Sequence, residues 1–505
     1  MNVARRATAV ALGARRSLSV RPQTRSHTLP FGGVHGSKPN QKMWRNKPLF
    51  KRPEDKSLGD GLFRTGSEAA QILSQAARRL DPDDPDFLES ADSVFTALAP
   101  VFERVPKYAW VAKQLLEPDR ALVFRVSWLD DKGVVRVNRG YRYQYSSTLG
   151  PYEGPLHFRG DLSSNLVKAH GFDLVLSNAI TGYSIGAAVG GANFSPDDKS
   201  EAEIQSFCQA YMTQLNKYIG PMIDAPTMGT GVGAPEMGYL YGQYKRLNGE
   251  LSPQGLGLLW GGMPGHAMCA GYGVASFTQA MLNCHGDDLK GKRCLITGSG
   301  KVAIHVAEKL QQMGAIPLTF SDESGHIYEP GGFDTPKLNT FLKAKEERGA
   351  RVGRYIVDSA SSTFNDPEDI FSIPCDIAFL CATNGQLTKE GAHALVKGGC
   401  KTVVDGAWKP VTQAATKVLR KHDILHAPYR GTMVGATVGG GRELERNPLA
   451  LGETLEDRVE TKMKQVFEDA FQAAADYNAR GDLAAGCAIA GFLRVAKGMV
   501  AHGSV

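Results

Sequence analysis

The residues best placed to do chemistry are Gly298, Ser299, Gly300, Lys301, Val302 and Ala303, a G-x-G-x-x-A set. They follow an apolar run, Arg293 to Thr297, and open a helical pattern from Ala303 to about Met313. At a strand-to-helix turn such glycines let the backbone approach a pyrophosphate, which sits on the positive helix end. A next strand, Ile316 to Phe320, ends at Ser321 and Asp322, an acid 22 residues beyond Gly300, where a ribose hydroxyl would be met. Strand, helix and distal acid in register predict a Rossmann domain, continued by strands Asp376 to Leu380 and Lys401 to Val404. Further candidates are Glu153, His157, Arg159, Tyr183, His266 and Arg430, with no nucleophile motif or His–carboxylate pair among them. His157 and Arg159 lie on an alternating stretch and read as solvent-facing. Eight cysteines without a CxxC pair or Cys/His cluster exclude a zinc module and a disulfide scaffold. Cys269, Cys284 and Cys381 among them read as buried small hydrophobes.

Around these residues the chain is periodic from about 66. Ala69 to Leu80 and Phe87 to Phe102 have helical spacing. Ala121 to Trp128 and Val134 to Tyr143 alternate about a turn at Asp130 to Gly133, which predicts a hairpin. A capping box, Ser200 with Glu203, opens a helix to about Lys217, and Gly229 to Gly233 is a glycine-dense loop. Helix Tyr272 to Cys284 leads into the dinucleotide unit, and Leu455 to Tyr477 and Ala484 to Ala501 are long helices. The expected architecture is α/β: a discontinuous N-terminal α/β domain over 66–255, a Rossmann domain over 256–445, and helices over 446–505 packing back on the first, with a cleft between the domains.

Composition bounds the function. The chain has 505 residues, 42% hydrophobic and 22% charged, and no apolar run of the roughly 18 residues that crosses a bilayer, so no membrane span is expected. Residues 1–52 hold 12 Lys/Arg and no acid, leaving a body with 46 basic and 52 acidic side chains. Arg5, Arg6, Arg15, Arg16, Arg21 and Arg25 among Ser, Thr and Ala read as a mitochondrial transit peptide over 1–35, placing the protein in the mitochondrial matrix. Residues 36–65 would remain as a basic extension. The acidic body argues against nucleic acid as a partner, except through 36–52. No metal site is expected.

From about residue 70 onward, a series of stretches keeps one order and spacing. They include Pro106 to Tyr108, Phe124 to Val126, Val137 to Arg139, Gly150 to Tyr152, Gly190 to Pro196, Lys199 to Glu201, Gly271 to Gly273, Cys381 to Thr383, Asp405 to Ala407 and Ala488 to Phe492. On these the chain resembles the hexameric, NADP-dependent glutamate dehydrogenases of the Glu/Leu/Phe/Val dehydrogenase superfamily. The resemblance implies the two-domain amino-acid dehydrogenase fold, a homo-oligomer (a hexamer), and hydride transfer between NADP and glutamate, with 2-oxoglutarate and ammonia as the other pair. It also implies that Gly298, Ser299, Gly300, Lys301, Val302, Ala303, Ser321, Asp322, Ala382 and Thr383 meet the adenosine-phosphate end of NADP.

The reacting positions of that family are replaced. Its substrate lysines fall at Glu153 and Ser177, its catalytic lysine at Val189, its proton-shuttle aspartate at Gly229, and a serine for the distal carboxylate at Gly440. The family pocket carries about +2 and this one about −1, and removing one partner of a buried charge pair costs roughly 2–5 kcal/mol. At the nicotinamide end a family threonine and arginine are Ala270 and His266, and two asparagines are Gly385 and Trp408. The expected protein is a mitochondrial glutamate-dehydrogenase-like pseudoenzyme, structural or regulatory, as a homo-oligomer or a subunit of a larger mitochondrial complex. The alternative is an NADP-dependent oxidoreductase on glutamate/2-oxoglutarate or on a less acidic amino or oxo acid.

Overall fold

A computed structural model describes residues 63–220, 222–248, 265–346, 349–440 and 452–503. The expected transit peptide, all but the end of the basic extension, and both domain junctions near 255 and 445 lie outside the described residues.

Three helices come first: α1 (Gly66–Leu80), α2 (Pro85–Arg104) and α3 (Tyr108–Gln114). The start of α2 is fixed by Pro85, which has no N–H to leave unpaired, and by the Asp84 side chain accepting Phe87 N–H at 3.2 Å. The predicted hairpin is present as β1 (Arg120–Leu129) and β2 (Val135–Ser146), antiparallel from Arg120 opposite Gln144 to Leu129 opposite Val135. Asp130 Oδ1 accepts the N–H groups of Lys132 and Val134 and so sets the turn. Strand β3 (Tyr152–Phe158), helix α4 (Ser164–Ile180) and strand β4 (Ala187–Ala192) follow. Helix α5 (Glu201–Leu215) carries both bonds of its capping box and ends in a 3-10 turn, before β5 (Asp224–Thr227) and α6 (Ala234–Asn248). The sheet order is β1-β2-β4-β3-β5, with β3 parallel to both of its neighbours.

One ion pair crosses under this sheet. Arg142, on β2 and fully buried, reaches past β4 and β3 to Asp224 at the start of β5; its Nε donates to Asp224 Oδ2 at 2.9 Å and its Nη2 to Oδ1. Gln144 Nε2 adds a third donor to the carboxylate (3.0 Å), and Arg142 Nη1 donates to Gly154 O (3.1 Å). The pair ties two strands that share no backbone bonds.

The second domain opens with α7 (His266–Cys284), β6 (Arg293–Thr297) and α8 (Lys301–Gln312). The single strand expected at 316–320 is two: β7 (Ile316–Pro317) pairs with β6, and β8 (Thr319–Asp322) turns away to pair with β9 (Gly325–Tyr328). Thr319 Oγ1 donates to Ile296 O (2.8 Å) and accepts Ile296 N–H (2.9 Å), so a side chain replaces the ladder where the chain leaves the sheet. Helix α9 (Thr335–Glu346), β10 (Thr363–Asn365), β11 (Ile377–Leu380), α10 (Lys389–Lys397), β12 (Thr402–Asp405), α11 (Gln413–Lys421) and β13 (Leu425–Ala427) complete the alternation. The main sheet, β13-β12-β11-β6-β7, is parallel throughout, as a doubly wound dinucleotide fold requires.

After the short turns α12 (Tyr429–Thr432) and α13 (Gly435–Val438) come the two long C-terminal helices, α14 (Leu455–Asp476) and α15 (Leu483–His502). They divide between the domains rather than both packing on the first. In α14, Phe467 meets Phe277 of α7 edge-on at 5.6 Å, whereas in α15 Phe492 meets Phe102 and Tyr108 of the first domain. By length and composition α15 is apolar enough to cross a membrane, but most of its apolar window is buried against α2, α4 and α14.

Replacing Asp224 by alanine leaves the Arg142 guanidinium buried without its counter-charge, which costs about 3–5 kcal/mol. Urea unfolding of Asp224→Ala should show that loss, and a change under about 1 kcal/mol would mean the pair does not bear on stability.

Candidate active-site cleft

The turn after β6 and the loop after β11 sit side by side at the carboxyl edge of the second sheet, where the strand order reverses. Open α/β sheets take up ligands at such a point. Gly298 is left-handed, with φ 85°, and a side chain on it would strike Cys381 O at 2.7 Å. Its N–H donates to Ser321 Oγ (2.8 Å), and Ser321 N–H returns to Gly298 O (3.0 Å). Gly300 caps α8, with open space in front of it: an added Cβ would meet nothing within 4 Å. The first N–H groups of α8, at Lys301, Val302 and Ala303, have no partner within the helix and carry its positive end. Ala303 is buried, Ser299 and Val302 half-buried, and Lys301, Ala382 and Thr383 exposed. Asp322 is tied into its loop, Oδ1 accepting Ser324 N–H (2.9 Å) and Oδ2 Val352 N–H (2.7 Å). This half fits the adenosine and phosphates of a dinucleotide: an open helix end beside an acid.

The other half holds the replaced positions. Glu153 is buried on β3; its backbone O accepts Asn178 Nδ2 (3.3 Å), and Asn178 Oδ1 in turn accepts Thr437 Oγ1 (3.1 Å). Gly440 lies against the same carboxylate, and a Cβ there would be 2.8 Å from Glu153 Oε1 and 3.0 Å from Thr437 O. Ser177, beside Asn178, turns back on its own helix and donates to Asp173 O at 3.2 Å. Glu153, Ser177 and Gly440 are thus gathered around Asn178. Val189 is not part of that group: it is opposite Tyr143 in the sheet and buried with Tyr141, Leu162 and Val167. Gly229 lies at the far end of β3, where a Cβ would fall 2.3 Å from Leu156 O and 2.9 Å from His157 Nδ1.

His157 therefore does not face solvent as the alternation suggested. Its Nδ1 accepts Thr230 N–H (3.1 Å), and its ring lies 5.1 Å from that of His170, which stacks at 5.1 Å on Trp408. Burial first, and then the neighbouring His170 and Arg159, hold His157 well below the ordinary histidine value. Burial pulls His170 down to about 4. Both imidazoles are neutral near pH 7. Arg159 pairs with Asp161 and reaches Asn384 at 3.5 Å, His266 Nδ1 bonds Gly439 O at 2.7 Å, and Lys462 lies over the Tyr183 ring at 4.9 Å.

The centre of the interdomain contact is a residue that pattern reading passed over. Asp173, buried in the middle of α4, accepts five hydrogen bonds. Ser90 Oγ (2.9 Å), Trp408 Nε1 (2.9 Å) and Tyr429 Oη (2.8 Å) donate to Oδ2, and Arg430 Nε (3.1 Å) and Nη2 (2.5 Å) to Oδ1. Burial would raise this carboxyl; Arg430 and Lys409 with the other donors outweigh it and hold it below the usual carboxylate range. Lys409 extends the seam, donating to Asp86 O (3.1 Å) and pairing with Glu89 (3.3 Å). A His–carboxylate pair does exist: His426 Nε2 with Asp405 Oδ1 at 2.9 Å, while Asp405 Oδ2 accepts Tyr429 N–H (3.0 Å). The acidic residue inside an otherwise mostly apolar helix was the available signal for Asp173; its partners, Ser90 on α2 and Trp408, Tyr429 and Arg430 more than 230 positions away, left none. One further correction concerns the thiols: Cys269 and Cys381 are buried as expected, but Cys284, at the end of α7, is exposed.

A folded-state pKa near 4 for His170 fixes a sign. The unfolded chain takes up the proton first, so the neutral stack contributes stability that is whole above pH 6.5 and lost as pH falls toward 4. NMR titration should find the His170 ring midpoint close to 4, and His170→Phe should flatten the loss of stability over that window. A midpoint at or above about 6 would show the ring to be solvated.

Residues 118–246 match the Glu/Leu/Phe/Val dehydrogenase dimerisation domain, and residues 261–503 the Glutamate/Leucine/Phenylalanine/Valine dehydrogenase domain. The chain is 39% identical over 446 residues to an NADP-specific glutamate dehydrogenase of Chlorella sorokiniana, covering 87% of this chain and 84% of that one. To the NADP-specific glutamate dehydrogenase of Escherichia coli (strain K12) it is 35% identical, over 86% and 98% of the two chains. The solved structure of Plasmodium falciparum glutamate dehydrogenase superposes with a TM-score of 0.82 at 35% identity, over 87% of this chain and 95% of that one. With both domains matched in order and the parallel sheet in place, the chain belongs to the Glu/Leu/Phe/Val dehydrogenase family.

Proposed function

We propose that this protein keeps the glutamate dehydrogenase fold without glutamate chemistry and acts as a structural or regulatory subunit in a mitochondrial assembly. The observation that carries the reading is the fit between replacements. The Glu153 carboxylate lies where a side chain at 440 would stand, and the His157 ring crowds any side chain at 229. Two of the replaced positions, Glu153 and Gly440, are packed against each other, and Val189 is buried among apolar side chains.

Reaction of glutamate needs cations for two carboxylates and a group to move a proton at the amine. The aligned positions offer a carboxylate at Glu153, a hydroxyl at Ser177 bonded to its own helix, an apolar side chain at Val189, and no side chain at Gly229 or Gly440. NADP, when bound, supplies or accepts a hydride. Gly298 to Ala303, Ser321, Asp322, Ala382 and Thr383 would hold its adenosine-phosphate end, and the space in front of Gly300 supports this. At the nicotinamide end, Trp408 spends its indole N–H on Asp173 and its face on His170, so the ring is committed to the cleft wall. Assembly as an oligomer is supported by the match of 118–246 to a dimerisation domain.

The test is steady-state NADPH oxidation with 2-oxoglutarate and ammonium, using the chain from residue 36. The expected result is no turnover above a cofactor-only blank; turnover at roughly 1–10³ s⁻¹ would overturn the proposal. Gly229→Asp alone should restore nothing, because its side chain meets Leu156 O and His157 before it can serve a substrate. Native-gel fractionation of mitochondria tests the assembly, and migration only as a free monomer would remove it.

A further inference from the structure

At the amino edge of the second sheet, opposite the cleft, two cysteines enter neighbouring parallel strands. Cys375 lies just before β11 and Cys400 just before β12. Ile377 is opposite Thr402, and Lys401 N–H donates to Asp376 O at 2.9 Å, so the same register sets Cys375 beside Cys400. Both side chains enter one apolar cluster with Ile370 and Leu395. Neighbouring strands run about 4.8 Å apart, inside the span of roughly 4.4–6.8 Å between Cα atoms that a disulfide bridges. Both residues lie just outside the regular ladder.

Buried cysteines are usually inert. Cys269 and Cys487 fit that description: burial pushes both thiols up to about 12. The pair at 375 and 400 differs because the strand register sets the two thiols side by side, with Cys400 S–H donating to Thr402 O at 3.2 Å. The neighbouring Cys375 thiol pulls Cys400 below the ordinary thiol value, and Cys400 together with burial raises Cys375. Of the two sulfurs, Cys400 gives up its proton the more readily.

We propose that Cys375 and Cys400 form a redox-responsive dithiol that closes to an intrachain disulfide in the presence of a hydroperoxide. Cys400 Sγ, as thiolate, attacks one peroxide oxygen; the O–O bond breaks, Cys400 becomes a sulfenic acid, and the departing hydroxide takes a proton to leave as water. Cys375 Sγ then attacks the sulfenyl sulfur, the S–O bond breaks, and its proton leaves with the hydroxyl as a second water. Two thiols and one hydrogen peroxide give one disulfide and two waters. The peroxide is reduced by two electrons, and the sulfurs are oxidised by the same two. The bridge would clamp β11 to β12, the strands whose far ends carry Ala382, Thr383 and Trp408.

The purified full chain, reduced and freed of reductant, is treated with hydrogen peroxide, unfolded, alkylated and mapped by peptide mass spectrometry. The expected product is one linked pair of peptides containing Cys375 and Cys400, two hydrogens lighter and released by dithiothreitol. Cys375→Ser should instead leave Cys400 as a sulfenic acid that dimedone captures. Full alkylation of both cysteines after peroxide, with oxidation confined to exposed Cys284, would overturn the proposal, as would linkage of either to another cysteine. The mapping of the unaltered chain decides the matter even if a variant fails to fold.

Discussion

The carboxylate of Asp173 is a full negative charge held in the middle of a buried helix, and the seam between the two domains is organised around it. Such a charge persists inside a protein only when enough donors replace its water. Here five do, and they come from three separate segments: α2, the loop after β12, and two successive residues of the turn after β13, all converging on α4. The Arg430 pair supplies the counter-charge, while Ser90, Trp408 and Tyr429 fill the remaining lone pairs. No single bond is strong in net terms. Their shared acceptor makes them interdependent, because loss of one donor strands a charge that the others must then solvate.

This hub explains how the cleft is furnished. Trp408 is anchored through its N–H, so its ring lies flat on His170, and His170 in turn lies on His157. The column carries the influence of Asp173 from the interdomain seam to the loop at Gly229. The dinucleotide turn stands apart from it. Gly298, Ser321 and Asp322 are bonded to one another and to their own loops, and they need nothing from the hub. One side of the cleft is thus a self-contained backbone cradle, and the other is a packed wall.

Much of the frame was legible in the sequence. The strand–turn–helix at 293–313, the hairpin, the capping box at Ser200 and the long C-terminal helices follow from periodicity and local chemistry, which act over a few residues. Strand β4 was not, because Ala187 to Ala192 is built of alanine, valine and glycine and carries neither alternation nor a β-branched run. The break between β7 and β8 depends on the Thr319 hydroxyl taking over a ladder position, which no pattern announces. The burial of His157 depends on His170 and Trp408, partners distant in sequence. The sequence marked the substituted positions one at a time, and only the fold shows that Glu153 and Gly440 face each other and that Gly229 faces His157.

Those pairs have a consequence for the history of the chain. Glu153 and the Thr437 carbonyl close on Gly440, and the Leu156 carbonyl and His157 close on Gly229, so neither glycine has room for a side chain as its neighbours stand. Restoring a side chain at either glycine first damages packing, so the intermediate is worse than both ends. Selection acting one substitution at a time meets a valley in that direction. Packing at the two glycines works as a ratchet, letting a side chain go easily and readmitting one only when its neighbours move first.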